Sequence, residues 1–211
     1  AALGAADWLV WLVLGLVSGM TQGFSILISQ YYGASEWKKL KKSVAQSYVL
    51  TALTAVLTLG ISQAVVHQMM IFLNTPSNVI DMSMMYLRIV FCGIPVIAAY
   101  NILAAILRAM GNSRSPLMAM NVVLDLLFVA GFHWGVAGAA IATVIAQAVS
   151  AVYCLLILRK IELVRLSRQD FQMQWGMTGK LLKLGAPLAF QNVIISIGGL
   201  TVQYVINGFG F

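Results

Sequence analysis

The amino-acid sequence predicts an all-α integral membrane protein with six transmembrane helices. Hydrophobic residues make up 61% of the chain and charged residues only 9%, whereas soluble domains average about 45–50% and about 25%. A spanning helix needs roughly 20 mainly apolar residues, and stretches approaching or exceeding that length recur along the chain. The predicted spans are 8–32, 43–72, 86–107, 116–132, 135–158 and 186–208.

The first predicted span contains Gly15, Gly19 and Gly23 at four-residue spacing. Small residues at this spacing let two membrane helices approach closely. Glycine is also simply common in membrane helices. We favour the packing interpretation, in which this face of the first span contacts a neighbouring helix.

The third predicted span contains Pro95 shortly after Gly93. Proline removes a backbone hydrogen bond from a helix and bends it. A kink is therefore predicted in this span. Two interpretations stay open for Pro95: a hinge used in a conformational change, or a static bend that fits the bundle.

The fourth and fifth predicted spans form a tight hairpin that brings polar residues to one depth. Asp125 lies near the middle of the fourth span and Asn121 one helical turn before it, so both share a face. Counting outward from the turn pairs Asp125 with Thr143 and Asn121 with Gln147. Two polar layers are therefore predicted to stack between these spans.

An ionised carboxylate in the middle of a membrane costs a few kcal/mol or more, so Asp125 needs a partner. Carboxylate, amide and hydroxyl oxygens suit Na⁺, and desolvation also favours a carboxyl group that takes up a proton. Asp125, Asn121 and Thr143 are therefore candidate ligands for a coupling cation. The alternative is a structural hydrogen-bonded clasp with Asp125 permanently neutral.

The sixth predicted span follows a long connection, 159–185, that mixes charged residues with apolar ones. This pattern is typical of a segment lying on the membrane surface, and a domain boundary is predicted there. Gln191 and Asn192 in the last span could line a cavity or form packing hydrogen bonds.

The basic residues indicate orientation and exclude several kinds of function. If the spans alternate in direction, twelve of the thirteen Lys and Arg residues fall in loops on one face, which the positive-inside rule makes cytoplasmic. A nucleic-acid-binding surface would not confine its basic residues to alternate loops. A second mid-membrane Asp and the HExxH, CxxC and GxSxG motifs are absent from the sequence, so no enzymatic activity and no organic cofactor are expected.

Several segments resemble the multidrug and toxic compound extrusion (MATE) family. They are 86–89, 93–95, 106–117, 135–143 and 183–187, of which the Arg-x-x-Gly-x-Ser-x-Ser-Pro loop in 106–117 is the most specific. The resemblance implies a transporter with two pseudo-symmetric six-helix lobes. Such transporters export cationic, amphipathic compounds in exchange for Na⁺ or H⁺.

The same resemblance implies how the chain maps on that fold. Residues 1–158 would hold helices two to six of the N-terminal lobe, 159–185 the linker between lobes, and 186–211 the first helix of the C-terminal lobe. The first helix of the N-terminal lobe and most of the second lobe would be missing. The remaining helices of the full-length chain are thus expected partners, together with the lipid bilayer.

In the DinF-like branch of this family, the cation site uses an Asp on helix one, an Asn and an Asp on helix five, and a Thr on helix six. Asn121, Asp125 and Thr143 match the last three in type and spacing. The NorM-like branch has a Glu in helix seven, where this chain offers Gln191 and Asn192. The resemblance thus implies a cation site in the first lobe, and it does not extend to the second-lobe site of the NorM-like branch.

The expected function is multidrug efflux by alternating access in a bacterial or archaeal cell membrane. One alternative is a flippase for lipid-linked precursors, which would need a basic central cavity, although the predicted spans hold almost no Lys or Arg. Another is a membrane sensor or assembly subunit that does not transport. Such a protein would not need the layer of Asp125, Asn121 and Thr143.

Overall fold

The computed structural model describes residues 2–72, 77–112 and 135–208, and the chain there is almost entirely helical. The connection before the last helix contains two short 3₁₀ turns, Glu162–Val164 and Arg168–Phe171. The long helices are α1 Ala2–Gly33, α2 Trp37–Phe72, α3 Ser77–Cys92, α4 Ile94–Ala109, α5 Gly135–Lys160 and α6 Trp175–Gly208.

Within these ranges, four helices are long and apolar enough to cross a membrane: α1, α2, α5 and α6. The bent pair of α3 and α4 makes a fifth span if it counts as one. The predicted span 116–132 lies outside the described residues. The multi-pass, all-helical architecture is therefore confirmed, whereas the number six stays a prediction.

Four helices begin earlier than predicted: α1, α2, α3 and α6. The helix predicted at 43–72 begins at Trp37, and the one predicted at 186–208 begins at Trp175. Both early segments carry lysines, which end the apolar stretch but are good helix formers. The non-helical part of the connection predicted at 159–185 is correspondingly shorter.

The span predicted at 86–107 is two helices, α3 and α4, which meet at Gly93 with a bend of 47°. Gly93 N–H still donates to the carbonyl groups of Ile89 and Val90, at 3.2 and 2.9 Å. Pro95 follows in the first turn of α4 and has no N–H to continue the series. The predicted kink is present, and its role as a hinge stays a prediction.

Buried apolar side chains form two clusters at different depths. The inner cluster joins α1, α2, α4, α5 and α6, with Phe24, Leu40, Ile106 and Leu181 each fully buried. The outer cluster joins α1, α2, α3 and the start of α4, around Val17, Met70, Leu87 and Phe91. The last helix is thus part of the inner core.

The glycine face of α1 packs against α6, which confirms the packing interpretation. A Cβ atom placed on Gly19 would lie 2.6 Å from the Ala189 backbone, and one on Gly23 would overlap Gly185. A Cβ atom on Gly15 would lie 3.3 Å from the Asn192 Cβ, a close but looser contact on the same face. Because rising numbers on α1 meet falling numbers on α6, the two helices run antiparallel.

Candidate functional site

The predicted polar layers are described on one side only. Thr143 and Gln147 lie one turn apart on α5, so their side chains share a face. Their predicted partners, Asp125 and Asn121, lie outside the described residues. The structure therefore gives the α5 half of the candidate cation site.

Gln147 is the most unusual member of this pair. Its side-chain carbonyl oxygen is buried, and no hydrogen-bond partner reaches it from the described part of the chain. A buried acceptor without a partner costs about 1–3 kcal/mol. Such a group is tolerated where a ligand or ion completes it, and Thr143 one turn away offers a second oxygen.

The candidate layer lies beside the bend between α3 and α4. The residue after Thr143, Val144, presses its side chain against Gly93, leaving no room there for a Cβ atom. α5 packs mainly on α4 and also on α3. The bend and the start of the polar layer thus lie at the same depth.

Pro95 borders an apolar groove of about 440 Å³ between α2 and α4. Thr51, on the α2 wall of this groove, has a buried hydroxyl oxygen with no partner among the described residues. The remaining walls are mostly alanine and aliphatic side chains. The groove gives the bent segment free space on its α2 side.

Of the two candidate cavity residues on α6, Gln191 is exposed and Asn192 is half-buried. The Asn192 amide donates a hydrogen bond to the Gly15 carbonyl oxygen at 3.0 Å. Asn192 therefore takes part in the contact between α1 and α6. A role in lining a transport cavity stays a prediction for both residues.

Sequence reasoning missed a buried polar clasp centred on Gln46 of α2. The Thr178 hydroxyl donates to the Gln46 side-chain oxygen at 2.9 Å, and the Gln46 amide donates to the Gln172 carbonyl at 3.3 Å. Gln46 is 3% exposed and Thr178 5% exposed. This clasp ties the connection and the first turn of α6 to α2.

A cation at the candidate layer would take hydroxyl and amide oxygens from α5 and a carboxylate from Asp125. These are hard ligands, which suit Na⁺. Within the described ranges, no three His, Cys, Asp or Glu side chains come together as transition-metal ligands would. Exchange of a small cation or a proton at this layer stays a prediction.

Comparison with known proteins gives a family match. The family model MatE matches residues 1–132. The probable multidrug resistance protein YpnP of Bacillus subtilis is 30% identical over 99% of this chain and 49% of its own length. The chain thus spans about half the length of the curated relatives it matches.

Solved structures share the fold at lower sequence identity. An inward-facing MATE family multidrug resistance transporter of the MOP superfamily superimposes with a TM-score of 0.89 at 21% identity, over 97% of this chain and 48% of that one. An outward-facing conformation gives 0.85 at 21% identity, over 93% and 46%.

Proposed function

The chain belongs to the MatE family, and on that premise we propose that it is about half of a multidrug efflux antiporter. The full-length protein would export cationic or amphipathic compounds across a bacterial or archaeal cell membrane. It would work by alternating access between two lobes and use inward flow of Na⁺ or H⁺. Inverted or repeated lobes around a mid-membrane site are a general design of such transporters.

The observation that carries the proposal is the buried carbonyl oxygen of Gln147 without a partner in the described ranges, one turn from Thr143. An acceptor of this kind is stabilised by a cation or by a proton donor. Without such a partner, the buried oxygen lowers the stability of an otherwise apolar helix pair. Its position beside the bend at Gly93 supports coupling between ion occupancy and helix shape.

Asp125 and Asn121 complete the proposed site. Their support is the hairpin register and the match to the family pattern. A buried carboxylate must be neutralised, and H⁺, Na⁺ or a cationic substrate can each do so. If the site holds only one of them, binding of the ion expels the substrate, as antiport requires.

The test is efflux of ethidium from proteoliposomes that hold the full-length transporter, under an imposed Na⁺ or pH gradient. Asp125→Asn should insert normally but lower coupled efflux by about ten-fold or more, because the charge that must be neutralised is gone. Ser150→Ala is the control, because within the described residues its hydroxyl donates to the Ala146 carbonyl of its own helix.

Wild-type efflux by Asp125→Asn under both gradients would overturn the coupling role. Transport of a fluorescent phospholipid but not of ethidium by the wild-type protein would instead favour the flippase. A protein that moves neither compound would fit the sensor or assembly subunit.

A further inference from the structure

A basic cleft lies where the start of α2 meets the connection before α6. It has a volume of about 770 Å³ and opens to the surface. Its walls are lysines of the first turns of α2 facing polar residues of the connection. The lining residues are Lys38, Lys39, Lys41, Lys42, Gln169, Asp170, Gln172, Gln174 and Met177.

Two charged groups of the cleft already have partners. Lys39 pairs with Glu36 at 2.6 Å. The Asp170 carboxylate accepts hydrogen bonds from the Ser167 backbone N–H and hydroxyl, at 2.7 and 2.8 Å. These bonds, helped by Lys41 and Lys42, hold the pKa of Asp170 below its usual range.

The lysines left over give the cleft a positive excess. Lys38, Lys41 and Lys42 carry three charges against the single charge of Asp170, a difference of two. No described carboxylate pairs with any of these three lysines. The N-terminal end of α2 adds its own positive potential. This positive excess favours the binding of an anionic ligand.

Exposed apolar side chains next to the cleft place it at the membrane surface. Phe171, Met173 and Trp175 are 45%, 50% and 79% exposed, although the connection around them is polar. Large apolar side chains beside basic ones are typical of segments in the headgroup region, and tryptophan favours that depth. This pattern predicts that the cleft lies at the level of the lipid phosphates.

We propose that this cleft binds the phosphate headgroup of an anionic membrane phospholipid. Lys38, Lys41 and Lys42 supply the charge, and the amide groups of Gln169 and Gln174 supply neutral donors. The acyl chains lie along Phe171 and Trp175. A basic pocket on the cytoplasmic side of a helix bundle is a known form of lipid recognition. The proposal concerns binding and is independent of the transported compound.

The test is native mass spectrometry of the full-length transporter in detergent, titrated with cardiolipin, phosphatidylglycerol or phosphatidylcholine. Wild type should bind both anionic lipids and prefer them to phosphatidylcholine. The triple variant Lys38→Gln, Lys41→Gln, Lys42→Gln should weaken anionic binding at least about ten-fold, since each lysine near a lipid surface contributes about 1 kcal/mol. The control Arg159→Gln, Lys160→Gln, Arg165→Gln removes equal charge outside the cleft and should change binding less than about two-fold.

The Asp170→Asn variant and competition by inorganic phosphate test the charge and the acyl-chain contacts separately. Asp170→Asn removes the only acid of the cleft and should tighten anionic binding. Inorganic phosphate at millimolar concentration should not displace cardiolipin, because it lacks the acyl chains. Equal loss in the two triple variants, or displacement by inorganic phosphate, would overturn the proposal. Failure of the ethidium assay would leave the lipid-binding result intact.

Discussion

Gln147 offers the sharpest test at the scale of single residues. Gln147→Leu removes a buried acceptor that has no partner in the described ranges. Without Na⁺ the free energy of unfolding should therefore stay equal or rise by at most about 1–3 kcal/mol, and the apparent Tm should follow it. If the oxygen is an ion ligand, the stabilisation that Na⁺ gives the wild type should shrink. Thermal unfolding of the full-length transporter, with and without Na⁺, measures both effects.

Ser150→Ala is the matched control. Ser150 lies two turns beyond Thr143 on α5, and its hydroxyl donates to the carbonyl of Ala146 in the same helix. It should keep the full response to Na⁺. A Gln147→Leu protein that keeps that response too, and transports normally, would make Gln147 a packing residue.

Residue types could be predicted from the sequence where their chemistry is unusual for a membrane. Asp125 stands out as a charge among apolar neighbours, and Thr143 and Gln147 follow from its depth. Gln46 lies near a predicted helix end and Thr178 lies in the predicted connection, and polar residues are common in both places. Their 2.9 Å hydrogen bond joins residues 132 positions apart, and one-dimensional periodicity carries no signal of such a contact.

At the scale of helices, the contact between α1 and α6 depends on Gly19. A methyl group there would meet the Ala189 backbone at 2.6 Å, and a backbone cannot swing aside as a side chain can. Gly19→Ala should therefore cost about 1–3 kcal/mol and lower the apparent Tm. Gly60→Ala in α2 is the control, because nothing lies within 4 Å of its added methyl group, and it should be neutral or stabilising by up to about 1 kcal/mol. Equal Tm values for the two variants would contradict this account of the contact.

The bend between α3 and α4 makes a second prediction at this scale. Pro95→Ala restores a backbone donor in the first turn of α4, so the 47° bend should decrease. Spin labels at Met82 and Arg108, both exposed, should then move apart. If the proposed alternating access operates, exchange between inward and outward states should slow more than drug binding weakens.

Pro187→Ala in α6 tests whether loss of any helical proline has this effect, because α6 continues through Pro187. It should leave the Met82 to Arg108 distance unchanged. If Pro95→Ala also leaves the distance and the transport rate unchanged, Pro95 only packs.

The presence of the described helices could be predicted well, because a long apolar segment in a membrane must satisfy its backbone hydrogen bonds internally and a helix does so. Helix ends were harder: α6 begins at Trp175, well before the apolar stretch. Its first turns are held by Thr178 bonding to Gln46 and by Leu181 in the inner core. Tertiary contacts of this kind override the boundary that composition indicates.

At the scale of the whole molecule, the sorted lysines and arginines predict the orientation. In a background of Cys92→Ser and Cys154→Ala, Glu36→Cys should react with a membrane-impermeant maleimide only from the cytoplasmic side. Met82→Cys, which is exposed on α3, should react from outside. Labelling of intact cells and of lysed cells separates the two cases, and the reverse pattern would refute the orientation.

The Gln46 clasp and the buried Leu181 bear on how the full-length protein is made. Side chains of α6 complete the inner cluster together with α1, α2, α4 and α5. The core of the helices that leave the ribosome first therefore stays incomplete until α6 has been translated. The unit that folds therefore includes α6, which follows the domain boundary predicted at 159–185. A transporter produced from two genes should tolerate a break after Gly208 better than one between α5 and α6.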